Sequence, residues 1–326
     1  MELLKTTPEN IKKAAEFIRA GKLVAFPTET VYGLGADGLN SFAVAKIFDA
    51  KNRPSFNPLI LHISEKNELQ KLTSVTNKKI EKLIDKFWPG PLTLVLPKKD
   101  IVPDIVSAGN PTVAVRMPDH PVASKLIELS QTPIAAPSAN LFGQLSPTTA
   151  EHVVKQLGNK VDLILDGGKC KVGVESTIIG FLEGEAVLLR PGGIPLEEIE
   201  PITGKLKKYV TEENGTNPLS PGRLPFHYSP EIPIRFFDEN MEKEISEKKV
   251  GALMLKKSQP VYKFDKVIYL SRNGDLHEAA ANLFDALHKL ETSALDLIYV
   301  EPVPEKGLGI AIMDRLKKAV KKYENQ

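Results

Sequence analysis

Along its first two hundred residues the chain alternates between apolar positions at helical spacing and short unbroken apolar runs. Thr7-Pro8 sets a cap and a first-turn proline ahead of Ile11, Ala14, Ala15 and Ile18, and Gly21 stops that helix. Leu23–Phe26, closed by Pro27, reads as a buried strand. Further helices are predicted from a Ser41 cap through Phe42, Ala45 and Phe48 to about Lys51, through Ile80, Leu83, Ile84 and Phe87, over Val122–Leu129 and over Ala150–Leu157. Strands are predicted at Leu59–Ile63, Leu92–Leu96, Thr112–Arg116, Ile134–Ala136, Leu163–Leu165, Ser176–Phe181 and Ala186–Leu189. Helices and strands interleaved in this way predict an α/β domain, and two strands in succession near its end predict a mixed sheet.

Between residues 205 and 233 the pattern lapses. Lys205–Lys208 is basic, Glu212–Asn217 polar, and Pro218, Pro221, Pro225, Pro230 and Pro233 follow closely, as in a stiff linker. The linker carries Ser220-Pro221-Gly222 and His227-Tyr228, side chains a mere spacer does not need. Beyond it, strands at Ile234–Phe237, Val250–Leu255, Lys266–Leu270 and Leu297–Val300, with helices over Leu276–Leu290 and from about Ile310, predict a small α/β unit. The expected division is 1–204, 205–233 and 234–326, and 326 residues suffice for two cores.

Composition changes this picture little. Hydrophobic residues at 42% and charged residues at 26% are ordinary for a globular protein, and a net charge of +2 gives no support to bulk electrostatic binding of nucleic acid. A single cysteine, Cys170, allows neither an intrachain disulfide nor a multi-cysteine zinc site. With no leader-like start and no run of membrane-spanning length, the expectation is a soluble cytoplasmic protein.

Several segments carry candidate chemistry, each with a plainer reading beside it. Gly33-Leu34-Gly35-Ala36-Asp37-Gly38 matches G-x-G-x-x-G, yet six residues separate it from the strand and no acidic strand end follows about 20 positions on. No P-loop occurs. Pro27-Thr28-Glu29-Thr30-Val31-Tyr32-Gly33-Leu34-Gly35 puts hydroxyls, a carboxylate and glycines after a buried strand, as a ligand loop or as a polar turn. Lys51-Asn52-Arg53-Pro54 either complements a helix dipole or grips an anion. Ser138-Ala139-Asn140 is a turn or a donor cluster. Arg116 and Arg190 each end a strand ahead of a proline turn, which points to a shared rim. His62 interrupts an apolar strand and reads as a hydrogen-bonded core histidine. His120, His152, His277 and His288 have no metal-ligand spacing and are expected at the surface, and Cys170 as a bystander.

In order and spacing, Pro27-Thr28-Glu29-Thr30-Val31-Tyr32-Gly33-Leu34, Lys51-x-Arg53-Pro54 and Ser138-x-Asn140 resemble the YrdC-type threonylcarbamoyl-AMP synthases over about residues 8–200. Ser220-Pro221-Gly222, His227-Tyr228 and Gly307-Leu308-Gly309 with Arg315-Leu316 resemble the longer, two-domain branch. The resemblance implies a twisted mixed sheet flanked by helices, plus a small Rossmann-like C-terminal α/β domain. It also implies a reaction, in which L-threonine, bicarbonate and ATP (with Mg²⁺) give L-threonylcarbamoyl-AMP, pyrophosphate and water. Downstream tRNA threonylcarbamoyl-transferase proteins would be the partners. By motif position it implies a threonine pocket of Thr30, His62, Arg116, Ala136 and Ser176. The implied ATP site is Lys51, Arg53, Asn57, Thr112, Ser138, Asn140, Ser146, Arg190 and Tyr228, with Lys51 and Arg53 catalytic. The residue types suit this chemistry, because holding two anions together needs concentrated positive charge and oriented donors more than a strong base. On this reading the C-terminal domain anchors the linker as a lid over the nucleotide. Two other readings stand beside it: a non-catalytic module binding double-stranded RNA or tRNA, and a carbamoyl-transferring maturation factor of related fold.

Overall fold

The computed structural model describes residues 1–74, 77–182, 184–209, 218–222, 227–239, 241–257 and 262–324. Its larger sheet has eleven strands. Their spatial order is Glu2–Lys5, Leu163–Asp166, Val24–Phe26, Gly33–Asp37, Ile134–Ala135, Ile60–His62, Thr112–Arg116, Leu92–Pro97, Thr177–Leu182, Glu185–Arg190 and Lys207–Lys208. It contains both parallel and antiparallel pairs, so the mixed sheet read from the sequence is present. The smaller sheet is wholly parallel, in the order Ile234–Phe236, Leu297–Val300, Val250–Lys256, Lys266–Ser271, and packs against the helices Leu276–Glu291 and Gly309–Lys321.

Local rules explain most boundaries. Thr7 caps Pro8–Arg19 through its hydroxyl, with proline in the first turn. Asn40 rather than Ser41 caps Ser41–Lys51, because its side-chain oxygen accepts from the backbone N–H groups of Phe42 and Ala43. That helix ends on Asn52 in the left-handed region, φ 52°, a conformation asparagine tolerates well among non-glycine residues. This reversal turns Arg53 back toward the sheet.

Four elements stand out against the sequence reading. Gly33–Asp37, expected in a loop, is a strand between Val24–Phe26 and Ile134–Ala135. A Cβ on Gly35 would fall 2.7 Å from the Phe26 ring and 2.8 Å from Ile134, so the glycines serve close strand packing and not a dinucleotide turn. Glu2–Lys5 forms an edge strand, and Leu196–Thr203 and Met241–Glu247 are helices that the sequence reading did not include. Among the described residues no helix is long and apolar enough to cross a membrane.

The two sheets are not separate beads. Val31, Leu145 and Val174 of the larger unit share one apolar cluster with Tyr228 of the linker and with Ala279, Leu283, Phe284 and Ile312 of the smaller. At the seam His288 is buried and its ring stacks on His152 at 3.9 Å, which corrects the expectation that both lie at the surface. Gly173 sits where the backbones come closest, at φ +75°, and a Cβ there would lie 2.4 Å from the Ala280 carbonyl oxygen. Its N–H donates to Thr30 O at 3.1 Å, so the seam also clamps the loop after the Val24–Phe26 strand. Gly173→Ala is therefore expected to lower stability by ~1–3 kcal/mol, the scale of overpacking. Urea unfolding would read that loss, and faster protease cleavage between residues 205 and 233 would report the loosened seam.

Candidate active site

Side chains two residues apart on a strand share a face of the sheet. Ile60 and His62 are such a pair, and Ala136 and Ser138 continue the same row from the neighbouring strand. Arg116 lies opposite His62 in the parallel register. Together they floor a cavity whose wall is Thr28, Thr30, Val31, Gly33, Arg53, Glu175, Ser176 and Arg190, and whose roof is Pro221, Gly222, His227 and Tyr228 of the linker.

Positive charge dominates this place. Among the described residues five Lys and Arg side chains are buried, Lys51, Arg53, Arg116, Arg190 and Arg315, against two carboxylates, Glu29 and Glu175. All seven line the cavity or contact residues that do. Burial lowers the pKa of Lys51, Arg53 and Arg190, as it does for cations held out of water without matching counter-charge. An anion arriving between them gains more than it would at a wetted surface.

Each cation is held by named partners. Arg53 donates to Asn57 O at 3.2 Å, Asn57 Oδ1 at 2.8 Å and Pro58 O at 2.8 Å. Lys51 Nζ donates to the carbonyls of Ser138 (2.6 Å) and Asn140. It thus ties the Ser41–Lys51 helix to the loop that presents Ser138, whose hydroxyl donates to Asn140 Oδ1. Arg190 donates to Ser176 O at 3.0 Å and Ser176 Oγ at 3.1 Å, and Ser176 Oγ also meets Thr93 Oγ1 at 2.7 Å.

The smaller domain reaches the same cavity from behind. Arg315, on the Gly309–Lys321 helix, is 1% exposed and donates to Glu175 Oε2 at 3.0 Å and Pro191 O at 2.6 Å. Ser146 donates to the other oxygen of Glu175. Burial alone would raise the Glu175 carboxyl, but Arg315 and Arg190 outweigh it and hold its pKa below the usual value. The Arg315 guanidinium also lies 5.2 Å from the centre of the Tyr228 ring. Tyr228 has φ 64°, a strained backbone for an aromatic residue, and is braced by His227 at 4.1 Å and Phe284 at 5.8 Å. A Cβ on Gly222 would lie 2.8 Å from the Tyr228 hydroxyl and 2.9 Å from Arg190 Cδ, so glycine lets the linker settle onto both. Burial keeps both cavity histidines neutral, His62 falling to about 3 and His227 well below its usual value.

Of the residues picked from the sequence, Thr30, His62, Arg116, Ala136, Ser176, Arg53, Ser138, Arg190 and Tyr228 line this one cavity. Lys51, Asn57, Asn140 and Ser146 stand one layer out, each bonded to a lining residue or to the loop carrying one. Thr112 lies four residues before Arg116, at the far end of its strand and outside the lining. Sequence reading gave no role to Glu175, His227 or Thr28. The polar start of the Ser176 strand, the His-Tyr pair and the hydroxyl-rich loop were the signals for them. Cys170 is buried away from the cavity lining, and burial pushes its thiol up to about 12, so it is unreactive.

A group with a lowered carboxyl pKa stabilises the fold above its unfolded value and loses that contribution as pH falls through the folded value. Glu175 therefore stabilises the interface above about pH 4.5. Glu175→Gln is expected to cost about 1–3 kcal/mol at pH 7, because Arg315 loses that charge and keeps only Asp314 and Pro191 O as partners among the described residues. Its urea midpoint should then fall less than the wild-type midpoint between pH 7 and pH 4.

Comparison with known proteins agrees in both parts of the chain. A family model described as "Telomere recombination" (Sua5_yciO_yrdC) matches residues 16–192, and one described as "Threonylcarbamoyl-AMP synthase, C-terminal domain" (Sua5_C) matches residues 194–320. The threonylcarbamoyl-AMP synthase of Pyrococcus abyssi is 47% identical over 324 residues, 95% of this chain and 93% of its own. That of Bacillus subtilis is 45% identical over 327 residues, 97% of this chain and 94% of its own. The crystal structure of P. abyssi Sua5 complexed with L-threonine superposes with a TM-score of 0.89 at 44% identity, covering 98% of this chain and 97% of that one. The chain belongs to the Sua5/YciO/YrdC family, in the branch that carries the Sua5 C-terminal domain.

Proposed function

We propose that this protein is a threonylcarbamoyl-AMP synthase, converting L-threonine, bicarbonate and ATP to L-threonylcarbamoyl-AMP, pyrophosphate and water. The observation that carries the reading is the surplus of buried positive charge around one roofed cavity: five cations against two carboxylates. The names of its full-length relatives agree with it.

The chemistry needs little acid–base machinery. The threonine amine adds to the carbon derived from bicarbonate, with loss of water, and gives a carbamate. A carbamate oxygen then attacks the α-phosphate, and pyrophosphate leaves. Charge builds on the phosphate and the leaving group, where Arg53 and Arg190 stand as preorganised donors, while Ser138 gives its proton to Asn140 and helps hold the loop. Lys51 acts by fixing the Ser138–Asn140 loop, and Asn57 by fixing Arg53. Thr30, His62, Arg116, Ala136 and Ser176 form the amino-acid half. Tyr228 closes the nucleotide half from the linker, and Ser146 supports it through Glu175.

Among the described residues no cluster of three or more His, Cys, Asp or Glu side chains is placed to hold a metal ion. Magnesium is expected to enter with ATP and would there neutralise part of the triphosphate charge. The product would pass to tRNA threonylcarbamoyl-transferase proteins. A non-catalytic RNA-binding module gains nothing from this arrangement, since the cations are buried under a roof and not laid along an open groove.

Pyrophosphate release that requires both threonine and bicarbonate is the expected assay result. Arg53→Ala should reduce kcat by about 10²–10³, the scale of losing one oxyanion donor. Release independent of threonine, or a near-normal rate in the variant, would overturn the assignment.

A further inference from the structure

Of the two buried carboxylates, Glu175 has its oxygens bonded to Ser146 and Arg315, whereas neither oxygen of Glu29 has a hydrogen-bond partner among the described residues. Glu29 is 4% exposed, and Arg116 Nη2 approaches its Oε1 to 2.5 Å without an aligned N–H. The contact is therefore chiefly Coulombic. Glu29 does not line the cavity, but its neighbours Thr28 and Thr30 do. It stands one layer behind the wall.

The hydrogen bonds on this wall have a fixed direction. Thr28 donates its hydroxyl proton to Val31 O at 2.6 Å. Its 2.8 Å contact with Thr30 Oγ1 must then be donated by Thr30. Thr30 has no proton left, which agrees with its accepting from Arg116 Nη1 at 3.0 Å. Arg116 Nε donates to Gly90 O at 3.3 Å. Thr30 can thus offer the cavity only an acceptor, and Arg116 only donors. An α-amino acid presents both an ammonium and a carboxylate, which fits that pair, whereas a bare anion fits only the arginine.

We propose that Glu29 is a positioning and specificity residue for the amino-acid half of the site: it braces Arg116 and sets a negative charge behind it, so that this half selects a zwitterion over a simple anion. The inference rests on the synthase reading. In a cavity with surplus positive charge, phosphate groups would otherwise compete for Arg116. Glu29 makes that competition unfavourable while leaving a zwitterion, which has no net charge, little affected.

The test is calorimetric titration, without ATP, of wild type, Glu29→Gln and Glu29→Asp with L-threonine, 3-hydroxybutyrate (threonine lacking its amine) and inorganic pyrophosphate. Threonine turnover is measured in parallel. In Glu29→Gln the preference for threonine over 3-hydroxybutyrate should narrow by about tenfold or more, and pyrophosphate should bind more tightly. KM for threonine should rise with KM for ATP within about twofold. Glu29→Asp keeps the charge but withdraws it, so the preference should stay within about threefold of wild type while KM for threonine rises about tenfold. An unchanged preference in Glu29→Gln, or equal weakening of every ligand, would overturn the proposal. If Glu29→Gln does not fold, a wild-type KM for threonine in Glu29→Asp overturns it alone. Failure of the wild type to bind threonine would instead sink the synthase reading.

Discussion

Burying five cations around one cavity is expensive unless something answers their charge, and much of this structure is arranged around that cost. Backbone carbonyls do part of the work. Among the described residues no carboxylate pairs with Lys51, which takes the carbonyls of Ser138 and Asn140, and Arg53 takes those of Asn57 and Pro58. Such dipoles hold a cation in place without cancelling its charge, so the attraction for an incoming anion survives. The two glutamates are placed where full compensation serves geometry. Glu175 joins the domains, and Glu29 stands behind Arg116.

That placement explains why a second domain is fused to the first. Arg315 enters from the smaller unit, pairs with Glu175 and lies against the ring of Tyr228, while Lys318 one turn on donates to Gly222 O at 2.8 Å. Two of the four linker residues that roof the cavity, Gly222 and Tyr228, are thus held from the far side by one helix. The strained φ of Tyr228 persists because its ring is packed by His227, Phe284 and Arg315 together. The domain contributes to the site by bracing the roof, not by lining the cavity with its own side chains.

How much of this could be read beforehand divides along physical lines. Strongly periodic helices such as Lys78–Phe87 and unbroken apolar strands such as Leu92–Pro97 were legible, because burial on one face or on both dictates the pattern. Gly33–Asp37 was not, since a glycine-rich strand chosen for close packing carries a turn's composition. Most of the site was legible through Lys, Arg, Ser and Asn at strand and helix ends. The pairing of Glu175 with Arg315 and the stacking of His152 on His288 were hidden for a different reason. The partners in each lie more than a hundred residues apart in the chain, and no local pattern records a contact between domains.

The same limit shows why the family motif and the physical site are not the same set. Lys51, in the heart of the motif, spends its donors on backbone, while Arg190, a lone strand-end arginine, faces the cavity directly. A motif marks residues that cannot change without moving the site, and anchoring meets that condition as fully as contact does. Loss of Lys51 would release the loop that carries Ser138, and loss of Arg190 would remove charge from the wall. On the proposed function, either loss would weaken the grip on a triphosphate, the first through geometry and the second through potential. The role proposed for Glu29 follows the same logic, because Glu29 meets the cavity through its contact with Arg116.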